Sequence, residues 1–276
     1  IGYDGTLHGP RDPTGRNPDL TFFNIFNPVA ARDNVRQGAA DLVALTRALS
    51  TMTIPADVAG TTARFDTDRL AFLGHSQGAL VGAAYLAADN TPRAAVFSGL
   101  GAILTITLLE RRDVVNFRSL LSSLLRLPDD EQLDALHPVL NLIQQFIEPA
   151  DPIAYARSYR DDPAPGVPAS ILMVEGLRDF ASPAQGQEAF SVAAGLPVIQ
   201  PQARQPEAAV WLGPAAEAAP VSNNVQTPSG TATFGLIQYP DETHFPIFEN
   251  ADANRRYVEF VRTALSEGPA VIAPSQ

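Results

Sequence analysis

The chain of 276 residues contains no cysteine, and that absence removes two kinds of architecture at once. It can build neither a disulfide framework nor a thiolate metal site, and it suits any redox compartment. Lysine is missing as well. All 19 basic residues are arginine, a bias that reads first as GC-rich codon usage. Cations are also outnumbered: 30 acidic residues bring the net charge to −11, whereas a nucleic-acid surface needs clustered positive charge. No stretch reaches 18 consecutive apolar residues, so no helical membrane span is encoded. The chain opens at Ile1 with neither an initiator methionine nor a signal-like segment, which implies a segment removed or never included. What remains is globular in composition, 45% hydrophobic and 18% charged, and long enough for one large domain with a well-buried core.

Residues 1–28 are rich in Gly, Pro, Asp and Asn and read as loop. Ala30 to Leu49 carries helical spacing, with Val35, Ala39, Leu42, Leu45 and Leu49 on one stripe. Apolar runs at Leu70–Leu73, Ala94–Phe97, Ser170–Val174 and Thr231–Tyr239 predict strands; residues 77–88, 184–194 and 251–266 predict helices. Continuous apolar runs alternating with helices imply a mostly parallel sheet buried on both faces. Residues 100–165 break the alternation. There Leu100–Leu109, Phe117–Leu127 and Glu131–Ile147 predict helices with no strand between them. Residues 200–230 read as an extended surface excursion, and Gly268 to Gln276 as a loose tail.

The segment Gly74-His75-Ser76-Gln77-Gly78 lies between the first predicted strand and a run rich in small helix formers. Strand, G-x-S-x-G, helix is the context of a nucleophile elbow, a turn tight enough to strain the serine backbone and expose its hydroxyl. Glycines two residues to either side permit the close approach. At these residues the chain resembles the α/β-hydrolase family, which makes Ser76 the candidate nucleophile. A serine hydroxyl near pH 7 needs an imidazole base, and that base needs a carboxylate to fix its tautomer. Four histidines are available. His75 lies inside the elbow with its side chain directed away from the hydroxyl. His137 precedes a proline and His8 a Gly-Pro turn. His244 follows the last strand, where the family presents its histidine; the competing reading is a surface-loop histidine.

For the acid, the family uses the loop after the penultimate strand. Asp179, in Glu175-Gly176-Leu177-Arg178-Asp179-Phe180-Ala181-Ser182-Pro183, matches that pattern, with a plain loop carboxylate as the bland reading and Glu175 as the alternative. Asp241 and Glu242 neighbour His244 in sequence only. The order Ser76, Asp179, His244 is that of the family. One oxyanion donor is then the backbone N–H of Gln77. The second is not found. The stretch Tyr3–Arg11 resembles the turn after the family's fourth strand rather than the oxyanion loop, although His8 and Gly9 remain candidates for that loop. This resemblance implies a chain that starts in mid-sheet without the first strands, and hence a partner chain, rearrangement or self-association to cover the edge.

The resemblance implies an α/β-hydrolase fold, with residues 1–99 and 166–276 as core and 100–165 as a helical cap or lid. The apolar helices of that insertion either pack on the core or wall an acyl site over Ser76. It also implies a carboxylesterase or lipase acting on an ester or lipid-like small molecule, without cofactor. No i, i+4 metal pair and no glycine-rich phosphate loop is present in the sequence. Residues 22–37 resemble secreted or cell-surface bacterial lipase-like proteins, which bears on localisation alone. Two competing readings stay open: a catalytically incomplete hydrolase-fold subunit, and a peptidase or acyltransferase using the same triad.

Overall fold

Four parallel strands organise the computed structural model, which describes residues 1–24, 26–112, 116–128 and 131–276. Ile25 of the lipase-like segment, and residues 113–115 and 129–130 of the helical insertion, lie outside the described residues. The strands are β1 (Ala71–His75), β2 (Ala94–Ser98), β3 (Ser170–Gly176) and β4 (Phe234–Tyr239), adjacent in that order. Every residue of β2, β3 and β4 is buried, as parallel strands covered on both faces require. The main helices are α1 (Pro28–Leu49), α2 (Gln77–Ala88), α3 (Leu104–Glu110), α4 (Phe117–Leu125), α5 (Pro138–Ile147), α6 (Ala184–Ala194) and α7 (Ala251–Ala264).

Side-chain alternation divides the core. Phe97, Ile171, Met173 and Leu236 meet Val35 and Ala39 of α1, Val81 of α2 and Phe190 of α6. Their neighbours Val96, Leu172, Val174 and Ile237 meet Phe260 of α7. This is the mostly parallel sheet, with helices on both faces, that the α/β-hydrolase resemblance implies. Local chemistry sets the helix starts. Asn27 accepts from Ala30 N at 3.1 Å with Pro28 in the first turn of α1, and Asn250 accepts from Ala253 N at 3.0 Å at the start of α7.

Between β2 and β3 the described residues form helices and no strand. Two of these helices start later than their sequence predicts. Asp151 is fully buried and takes the N–H groups of Ile103 (3.0 Å) and Leu104 (2.6 Å), so α3 begins at Leu104 instead of Leu100. Pro138 can sit only in a first turn, so α5 starts there, capped by the His137 side chain, and not at Glu131. Leu109, Leu133 and Leu140 make a separate small cluster beneath Leu121 and Leu125, and no residue of α4 is fully buried.

The termini also hold more structure than expected. The first 28 residues contain a short helix, Pro18–Phe22, that buries Phe22. The tail is anchored. Val221 and Ile272 exchange backbone hydrogen bonds of 3.1 and 2.9 Å, and Arg256 Nε donates to Ala273 O at 2.9 Å. Ala270 and Ile272 complete the α7 side of the core, which gives the tail a reason to stay.

The two sheet edges differ. Along β4, Leu236 N donates to Pro197 O and Ile199 N donates to Leu236 O, each at 2.8 Å, and Ile199 continues to Glu217. Along β1 no described strand pairs with the free side, and Leu73 is 43% exposed. A groove of about 790 Å³ follows that side, lined by Leu42, Leu49, Phe65, Leu70 and Val81, and it ends at Gln77 and Gly78.

Candidate active site

Ser76 sits at the sharp junction of β1 and α2 with φ 53° and ψ −119°, a left-handed backbone that a non-glycine residue adopts only under constraint. The constraint is visible. Ser76 N donates to Ser98 O at 2.8 Å, while Ala79 N and Leu80 N bond back to Ser76 O at 2.9 and 3.0 Å. A Cβ at Gly74 would stand 2.6 Å from Gly78 O, so that glycine is required. Gly78 differs from the expectation: a Cβ there meets nothing within 4 Å. The N–H groups of Gln77 and Gly78 lead the helix, and among the described residues they have no acceptor. With the helix dipole behind them they offer a place for negative charge.

The loops after β3 and β4 bring Asp179 and His244 together. His244 Nδ1 lies 2.7 Å from Asp179 Oδ2, and the Asp179 side chain is 1% exposed. Asp179 Oδ1 accepts from Ala181 N and Ser182 N at 2.8 Å each, and Oδ2 also accepts from Gln187 Nε2 at 3.2 Å. Four partners therefore surround a buried carboxylate, which fixes its orientation and favours the His244 tautomer with a proton on Nδ1. Gly99, at φ +60°, closes the other side: a Cβ there would approach His244 Cε1 to 2.7 Å. Ser76 Oγ makes no hydrogen bond among the described residues.

The remaining sequence candidates lie elsewhere or act differently. Glu175 is fully buried and accepts from Gln238 Nε2 at 3.0 Å. Asp241 pairs with Arg178 at 2.7 Å on the surface, and Glu242 accepts from Asn250 Nδ2 at 2.9 Å. His137 caps α5, its Nε2 2.9 Å from Glu131 Oε1. His8 has Nδ1 2.9 Å from Thr6 O and lines the groove that also reaches Gln77, with Thr6 beside it. Gly9 is closed in by Asp4.

Three partners escape sequence reasoning. His75 packs its ring 4.7 Å from that of His244, with Phe245 and Phe248 each at 5.1 Å. Burial pushes its pKa down to about 4, helped by the charge of His244, so His75 is neutral near pH 7. Ser98, at 3.3 Å from His75 Nδ1, and Gln187 complete the set. The G-H-S spelling of the elbow is the one signal that could have indicated His75. Among the described residues no group of three or more His, Asp or Glu could hold a metal ion, and no helix is long and apolar enough to cross a membrane.

No family model matches the chain, and no curated protein matches it in sequence. Solved structures do. A puromycin-hydrolyzing peptidase of Mycobacterium tuberculosis aligns at 16% identity over 86% of this chain and 27% of its own, with TM-score 0.45. Acetyl xylan esterase 1 from Thermoanaerobacterium sp. JW/SL YS485 aligns at 16% identity over 96% of this chain and 60% of its own, with TM-score 0.44. The acylaminoacyl peptidase of Pyrococcus horikoshii aligns at 12% identity over 76% of this chain and 25% of its own, with TM-score 0.40. The chain thus spans between a quarter and three-fifths of these three structures. The fold assignment rests on the strand order and the elbow described above.

Proposed function

We propose that this chain is a serine hydrolase that cleaves carboxylic esters through Ser76, His244 and Asp179. One observation carries the reading: a buried carboxylate with four partners holds the imidazole at 2.7 Å on loops beside a serine in strained, left-handed backbone. Such strain and such orientation cost free energy, and they cluster where chemistry needs them. His244 Nε2 takes the Ser76 proton as Oγ attacks the ester carbonyl. The oxyanion forms at the N–H of Gln77, and the tetrahedral species collapses to an acyl ester on Ser76 as His244 protonates the leaving alcohol. Water then gives a proton to His244, attacks the acyl carbon and frees the acid; Oγ regains its proton.

Exposed Leu124, Leu136, Leu142 and Phe146 in the insertion at 100–165 support an apolar, lipid-like acyl group and a role for this insertion as cap. A fluorophosphonate probe followed by mass spectrometry tests the reading. We expect an adduct on Ser76 that disappears in His244→Ala, with turnover of p-nitrophenyl esters of short and long acyl chains. Folded protein that takes no adduct and turns over no ester refutes it.

A second reading has its own observation, the bare side of β1. Unpaired strand edges invite another strand. Here a further segment, from a partner chain or a second copy, pairs with β1, fills the groove and completes the oxyanion side at Gln77. Activity that rises with protein concentration, alongside a rise in mass on size-exclusion chromatography with light scattering, favours this reading.

A further inference from the structure

Glu175 and Gln187 are both fully buried, and each keeps one side-chain oxygen, Oε1, without a partner. They occupy one layer. On β3, alternation places Glu175 on the same face as Ile171 and Met173, which α6 covers through Phe190 and Ala194. On α6, Gln187 precedes Phe190 by three residues and Ala194 by seven, so it belongs to the stripe that meets that face. Gln187 Nε2 is committed: it donates to Asp179 Oδ2 at 3.2 Å and to Ser182 O at 2.6 Å. Glu175 Oε2 is committed to Gln238 Nε2, and Gln238 Oε1 accepts from Arg204 N at 3.0 Å. Two orphaned acceptors in one buried layer are costly, and a single proton shared between them would remove both penalties.

We propose that Glu175 carries a proton on Oε1 and donates it to Gln187 Oε1, which makes Gln187 a positioning residue that locks Asp179 and, through it, the His244 ring. The inference rests on the serine hydrolase reading. The surroundings agree with it. Burial pushes Glu175 up to about 8, with the charge of Glu188 as the next cause; Asp179 adds to the rise, while Gln238 and Arg204 oppose it. Glu188 faces it from α6, paired with Arg204 at 2.6 Å from the excursion; Gln238 faces it from β4 and Asp179 from the loop. Once Glu175 ionises, the donor is lost, its negative charge acts on Asp179, and the Gln187 amide keeps only its Nε2 bonds.

The test is the pH dependence of kcat and KM for the wild type, Glu175→Gln and Gln187→Leu on a p-nitrophenyl ester. We expect the wild-type kcat to fall on an alkaline limb centred near 8 with KM little changed. Glu175→Gln, whose amide donates at every pH, should remove that limb. Gln187→Leu should lower kcat about tenfold, the usual scale for losing an outer hydrogen-bond partner, without moving KM. A limb that persists in Glu175→Gln, a wild type with no such limb, or a Gln187→Leu variant with wild-type kcat overturns the proposal. Stability separates it from the hydrolase reading. A folded value raised from 4.5 means stability present at low pH and lost as pH rises to about 8, so Glu175→Gln should flatten Tm across that window even if Ser76 takes no adduct. An unflattened Tm refutes the proton on Glu175.

Discussion

The covered half of the sheet and its bare half contribute unequal parts of the site. Behind β3 and β4, the edge is bridged by Pro197–Ile199, and the loops above it hold Asp179 and His244 in a closed set of hydrogen bonds. Behind β1, one flank is an open groove, and the elbow above it presents Ser76 Oγ and two backbone N–H groups that have no hydrogen-bond partner among the described residues. The Asp179–His244 pair is completed by this chain's own residues, whereas the elbow N–H groups border the groove. Preorganisation requires donors that are already oriented and dry. The chain achieves that only where its sheet is sealed on both flanks.

Five changes would break or sharpen this contrast, taken from the largest effect down with the two edge changes treated as a pair. Asp179→Asn removes the charge at the centre of the closed network and should lower kcat by about 10⁴, with Ser76 still in place, as stopped-flow ester hydrolysis can measure. Leu236→Ala, on the covered edge, should cost about 2–5 kcal/mol in urea unfolding, because it empties a fully buried site. The matching change Leu73→Ala, on the bare edge, should cost under about 1 kcal/mol. The reverse order would mean that something already covers β1 in solution. Gly99→Ala should cost about 1–3 kcal/mol for its backbone alone and also displace His244, so Tm and kcat fall together. The smallest effect concerns His75. Its folded value, depressed from 6.5 to about 4, means stability present above 6.5 and lost as pH falls toward 4. His75→Phe should flatten that acid limb of Tm.

What was legible in the sequence was whatever depends on near neighbours. Gly74 and Ser76 announce a turn whose geometry is local, and four-residue apolar runs such as Ala94–Phe97 admit few alternatives once helices flank them. Asp179 and His244 were singled out because each follows such a run on a loop where the resemblance expects it, and the structure brings the two within 2.7 Å of each other. Contacts across the fold were not legible. Ile272 looks like tail residue until Val221 pairs with it, and Gln187 looks like a solvated helix position until the loop 177–183 folds over it. His75 points away from its neighbouring hydroxyl, as alternation demands, but only the packed structure sets it under His244. The late start of α5 could have been foreseen at Pro138, because proline forbids the interior of a helix.

The anchored tail has a mechanical consequence. A load applied at Gln276 passes first into Asp252 and Arg255 of α7, which bond Gln276 N and Pro274 O, then through Ala273 into the Arg256 guanidinium and through Ile272 into Val221. Arg256 and Val221 lie on the sealed side of the sheet, in series with α7 and the excursion. Tension at that point is therefore borne by two clamps and a helix before any of it reaches the elbow at Ser76.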